Sequence, residues 1–142
     1  MKRKTVKNER PQTRLADLFD VVRRVGLGLP GVEAATRYDG SPMLKLGGCF
    51  MAGLAMHPSA EPGTLVVRMD LDDREALVDD APETYYLTDY YRTHPVVLAR
   101  LSRLDRDALH DLLTVSWRLT LPKTKLRIKS DGTFGTGTAP RS

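Results

Sequence analysis

Two adjacent glycines, Gly47 and Gly48, separate an apolar run at residues 43–46 from a second at residues 49–56. A two-residue glycine link reverses the chain through backbone angles closed to other residues, and its twist matches that of antiparallel strands. A chain carrying this signal must build an antiparallel sheet. The flanking segments supply candidates for its other strands. Residues 32–38 read as one, closed by Asp39-Gly40, and residues 64–69 are apolar and β-branched enough for another. Residues 85–88 and 96–104 read as two more. In the last of these, Leu98, Arg100 and Ser102 alternate against Val97, Ala99 and Leu101.

Helical periodicity appears at both ends and once in the middle. Leu15, Leu18, Phe19, Val22 and Val25 recur at spacings of three and four, which predicts a helix over about 14–26 with Thr13 capping its first turn and the glycines from Gly26 onward ending it. Asp70 or Asp72 opens a short helix through about residue 80; Asp72 and Glu75 fit a capping box, and Ala81-Pro82 stops it. Leu109, Leu112, Leu113, Ser116 and Trp117 share one face of a helix over 106–121, with Asp105 as N-cap, Leu104 stapled onto Leu109 and Pro122 as its end. Helices outside a run of hairpins predict an α+β fold, an antiparallel sheet with helices packed on one side. With 142 residues the chain has the length of one domain, set here at 14–129. Residues 1–13 form a basic tail with little to bury, expected to be disordered, and 130–142 are a Gly/Thr/Ser/Pro-rich flexible end.

Several chemistries find no support. The segment Gly26-Leu27-Gly28-Leu29-Pro30-Gly31 is glycine-rich but follows a helix, whereas a dinucleotide loop follows a strand. His57, His94 and His110 form no i,i+3 or i,i+4 pair, and Cys49 stands alone, so no metal site is expected. Cys49 reads as a small core residue, His110 as exposed, and His94 before Pro95 as a turn residue with local hydrogen bonds. No nucleophile elbow is present. The expectation is a protein that is not an enzyme and holds no cofactor. No run approaches the roughly 20 apolar residues of a membrane span, so no membrane partner is expected and a cytoplasmic location is the default.

Charge is segregated along the chain. Residues 1–32 carry eight basic and three acidic side chains, residues 33–91 four and eleven, and residues 92–129 nine and three. The acids between Asp70 and Glu83 read as a solvated helix face. The last third combines arginines and lysines with the tyrosines just before them, a pairing that suits phosphate contact plus base stacking. The candidate nucleic-acid contacts are Lys45, Arg92, Arg100, Arg103 and Lys123 with Tyr90 and Tyr91. Arg100 and Arg103 also have Asp105 and Asp107 within reach as ion-pair partners.

The segment Leu27-Gly28-Leu29-Pro30-Gly31-Val32-Glu33, the run from Lys45 through Gly47-Gly48 to Ala52, the acid-started helix at Asp72, the Tyr85-Tyr86 strand, and Ser116-Trp117-Arg118-Leu119 before Pro122-Lys123 together resemble the MmcQ/YjbR-like family. The resemblance spans about residues 15–125. It implies a compact frataxin-like α/β fold related to the double-wing arrangement of DNA-binding domains. Where many relatives carry a lysine and a tryptophan after the tyrosine strand, this chain has Leu87-Thr88-Asp89-Tyr90-Tyr91-Arg92, with Arg92 in place of the charge. Three readings follow, in order: a DNA-binding module, a non-catalytic protein-interaction module, and a small-ligand binder or enzyme with an unrecognised pocket. Oligomeric state is not readable from these residues.

Overall fold

The computed structural model describes the backbone of residues 11–132 and the side chains of residues 17–121. Six strands form one sheet: β1 (Val32–Thr36), β2 (Pro42–Leu46), β3 (Cys49–Leu54), β4 (Thr64–Arg68), β5 (Tyr85–Tyr86) and β6 (Val96–Arg100). Their spatial order is β1-β2-β3-β4-β6-β5, and every neighbouring pair is antiparallel. The β2–β3 hairpin turns at Gly47 and Gly48, both at positive φ (58° and 82°), so the paired glycines do what the sequence asks of them. The pairing shifts register between Leu44 and Lys45: Leu44 faces Ala52 and Lys45 faces Phe50, leaving Met51 as the extra residue of a bulge.

Four helices accompany the sheet: α1 (Pro11–Leu27), α2 (Leu71–Asp80), α3 (Asp89–Arg92) and α4 (Arg106–Gly132). Helices α1, α2 and α4 cover one face. Phe19, Val22, Leu109, Leu112 and Leu113 pack there on Leu44, Met51, Leu65, Val67 and Val97, with Leu77 and Val78 of α2 at the margin. Gly26 lets α1 approach the sheet closely; a Cβ at that position would run into the side chain of Leu44. Ser116 Oγ, fully buried on α4, donates to the Met51 carbonyl at 3.2 Å and so ties the helix to the bulge. The Trp117 ring nitrogen donates to the Pro30 carbonyl at 2.8 Å.

The helix-on-one-side layering holds for these three helices, and α3 departs from it. Tyr91 of α3 packs with Val66, Val96 and Leu98, which point away from the main core. Four residues show no periodicity, so α3 was invisible in the pattern; its start is set by the Thr88 hydroxyl, which accepts from Tyr91 N. Other boundaries move for local reasons. Helix α1 begins at Pro11, which suits a first helical position, so Thr13 lies inside it and not at its N-cap. Asp70, not Asp72, caps α2: its carboxylate accepts from Asp73 N at 2.9 Å, and the Asp72–Glu75 capping box does not form. Strand β6 stops at Arg100, opposite the first residue of β4, and Leu101–Arg103 form a 3-10 turn. Helix α4 continues past Pro122, whose fixed φ is helical and which removes one hydrogen bond without ending the run. Asp105 caps α4 as expected, accepting from Ala108 N at 2.8 Å. Of the two expected tails, 11–13 and 130–132 are helical; the remainder lies outside the described residues.

One buried cation organises the α3–β6 connection. Arg74 of α2 is only 8% exposed, and its Nη1 donates to the carbonyls of His94 (2.9 Å), Arg92 (3.3 Å) and Val96 (3.3 Å). Its Nε has no partner among the described residues. A guanidinium fits here because a peptide segment leaving a helix end presents several carbonyls at once.

Candidate functional site

Strand alternation dictates what the helix-poor face carries. Leu65, Val67, Val97 and Ala99 point into the helix layer. Their neighbours Val66, Arg68, Val96 and Leu98 therefore lie on the opposite face. The bulge puts Lys45 and Phe50 across from each other on that face as well. Helix α3 and the loop after β3 shelter its centre, and a cleft of about 570 Å³ remains beside them.

The cleft gathers cations and aromatic rings from five separate segments. Its floor is Phe50, Val66 and Val96. Arg37 and Arg68 line it, with Asp39 as the one carboxylate among its lining residues. Arg68 donates from Nε to the Phe50 carbonyl at 2.9 Å, and its terminal nitrogens have no partner among the described residues. Arg37 Nη1 donates to Ser41 Oγ at 2.9 Å and to the Leu54 carbonyl at 2.8 Å, and its guanidinium lies 5.7 Å from the Phe50 ring centre. Asp39 accepts from the Ser41 amide and hydroxyl, which hold its carboxyl below the usual range. It stays ionised and fixes the turn.

Among the described residues, three of the five large exposed hydrophobic side chains, Tyr38, Met56 and Tyr90, line this same cleft. Tyr90 is 49% exposed and stacks on His57 with ring centres 3.6 Å apart and planes 11° from parallel. Tyr91 stands edge-on to both rings, and its hydroxyl accepts from His57 N at 3.2 Å. Ser59 completes the support: its hydroxyl and amide both contact His57 Nδ1, at 2.9 and 3.1 Å. His94 lies 5.7 Å from Tyr90. The stack is thus held from behind and presented at the surface.

The residues singled out in the sequence fall into different settings. Lys45 sits on the cleft's side of the sheet, next to Phe50. Tyr90 belongs to the cleft wall, while Tyr91 is buried and acts as its support. Arg92 is exposed on α3 directly after them, and Arg103 is exposed on the 3-10 turn. Arg100 is engaged elsewhere. It pairs with Glu61 at 2.8 and 3.0 Å rather than with Asp105 or Asp107, donates to the Pro82 and Glu83 carbonyls, and lies 4.2 Å over the Tyr86 ring. The Lys123 side chain lies outside the described residues. Arg37 and Arg68 were missed because each stands alone in sequence, among acids or apolar residues. Only the strand register gives them a common address.

The Glu61–Arg100 pair yields a pH prediction. The Arg100 guanidinium holds the Glu61 carboxyl below its ordinary value of 4.5. A depressed carboxylate stabilises the fold fully above the unfolded value, and that contribution fades as pH falls through the folded one. Glu61→Gln should therefore lower the urea midpoint slightly at pH 7, and the difference from the unsubstituted chain should shrink as pH falls below 4.5. A difference that stays constant with pH would show that charge is not what the pair contributes.

The acids of α2 and α4 border a second groove. Helix α2 packs by Leu77 and Val78 into the helix layer, and none of its acids lines the cleft. Between α2 and α4 a smaller groove of about 350 Å³, floored by Met69, Leu77 and Leu112, is rimmed by Asp73, Asp80 and Asp111. Burial and the nearby Asp70 and Asp72 push the Asp73 carboxyl up. Among the described residues no group of three or more potential ligands is placed to hold a metal ion, and no helix is long and apolar enough to cross a membrane. Cys49 is buried. Compared with known proteins, residues 27–119 match the family model described as YjbR. No curated protein and no solved structure matches the chain.

Proposed function

The chain belongs to the YjbR family, and from that premise we propose that it is a DNA-binding module that meets its ligand with the helix-poor face of the sheet. The observation that carries this reading is the cleft, where Arg37 and Arg68 flank an exposed, propped aromatic stack. Phosphates would lie against Arg68, Arg37 and Lys45, with Arg92 and Arg103 as outlying contacts. Arg100 is left out because its guanidinium is already committed to Glu61 and two carbonyls. Residues 15–122 hold eleven basic and sixteen acidic side chains, which alone argues against a polyanion partner. The fold answers that objection in part by placing the α2 acids with the helix layer, away from the cleft.

The test is a titration of the full chain against single-stranded and duplex DNA at two salt concentrations. Each phosphate contact contributes about 0.7–0.9 to the slope of log affinity against log salt. Arg68→Gln should weaken binding and reduce that slope by about one contact. Affinity no better than that of an unrelated domain with equally basic tails would reject the proposal.

A further inference from the structure

We infer that the cleft receives an unpaired nucleotide, with its base stacked at the His57–Tyr90 surface and its phosphate against Arg68 and Arg37. This rests on the DNA-binding reading and makes it specific: the partner is single-stranded.

Three observations lead there. The exposed feature of the cleft is an aromatic ring, and stacking on a ring requires a base whose own face is open. In a duplex those faces are covered by the neighbouring base pairs, so a stacking surface has no use for one. The ring is also pre-organised. His57 lies flat against it, Tyr91 abuts both rings edge-on, and Ser59 and the Tyr91 hydroxyl hold His57 in place. Little side-chain freedom is left to lose when a base arrives. The third observation is scale. About 570 Å³ falls within the roughly 300–1,000 Å³ of sites that enclose one small ligand, and the cleft's cations stand beside the stack rather than in a long stripe tracking a duplex backbone.

The volume also suits a free nucleotide, so the experiment separates the two sources. The full chain is titrated with a fluorescent single-stranded oligonucleotide, with the same sequence as a duplex, and in competition with a deoxynucleoside monophosphate, the matching nucleoside and inorganic phosphate. The single strand should bind more tightly than the duplex, and the monophosphate should compete better than nucleoside or phosphate. Tyr90→Ala should weaken single-strand binding about tenfold or more and leave duplex binding unchanged. Tyr90→Phe, which keeps the stacking face, should bind as the unsubstituted chain does. Equal affinity for both DNA forms, or a Tyr90→Ala variant that binds the single strand undiminished, would overturn the inference while leaving DNA binding intact. Binding of the monophosphate without either DNA form would keep the nucleotide site and overturn the DNA-binding reading. No binding of any of these probes would overturn both.

Discussion

Arg74→Met is expected to destabilise the fold by about 3 kcal/mol, although the residue belongs to a helix that looks solvated in sequence. The substitution removes the donor shared by the carbonyls of Arg92, His94 and Val96. A buried carbonyl stripped of its donor costs about 1–3 kcal/mol, more where the lost donor was charged. The His94 carbonyl keeps a second bond from Val96 N, so the three costs do not add in full. With a urea slope of about 1–3 kcal/mol/M, the midpoint should fall by at least about 1 M. Arg74→Lys keeps the charge but only one nitrogen and should lie between. A midpoint within 0.3 M of the unsubstituted chain's, roughly the scatter of neutral surface changes, would show that water replaces the guanidinium. The consequence is also local: the carbonyls that Arg74 holds flank His94, which borders the cleft, so the proposed nucleotide binding should weaken along with stability.

Leu98→Ala should cost a similar amount, about 2–5 kcal/mol. Leu98 is fully buried, pairs with Val66 on one side and Tyr86 on the other, and packs with Tyr91 in the smaller core. Loss of its three carbons leaves a void beneath Tyr91, the ring that backs the His57–Tyr90 stack. Thermal unfolding monitored by far-UV and near-UV dichroism would follow both effects. Melting should fall by several degrees and the tyrosine signal should weaken below the transition. An unchanged tyrosine signal would mean that Tyr91 holds its place without Leu98.

These two residues show where sequence reading succeeds and where it stops. The Gly47-Gly48 hairpin was legible because only special backbone angles close such a turn. Asp105 was legible because an N-cap acts within three residues of itself. The antiparallel sheet with three helices on one side follows from the same local signals. Arg74 was not legible, since it sits among Asp72, Asp73 and Glu75, and nothing in that string marks it as the residue that turns inward. The candidate site was half legible. Tyr90 and Arg92 stood out in the basic and aromatic stretches and Lys45 beside the glycine hairpin, and of these Tyr90 lines the cleft; Arg37 and Arg68 join it only through pairings across β1 to β4. A dense run of arginines near the C-terminus drew attention to Arg100, which the fold spends on Glu61 and Tyr86. Linear charge density cannot distinguish a cation facing solvent from one already neutralised by a residue 39 positions away.

The strand order has a consequence for how the chain assembles. Strand β6 is last in sequence but lies inside the sheet, between β4 and β5. Strands β1 to β4 form by successive hairpins and need only near neighbours, whereas β5 has no partner until β6 arrives. During synthesis, a growing chain that has not yet released residues 96–100 exposes the Thr64–Arg68 backbone as a raw edge, open to pairing with another copy. The cleft depends on the same step, because Val96 is part of its floor. The cleft and the closed sheet thus form at the same moment in the life of the chain, with no half-built form of either preceding it.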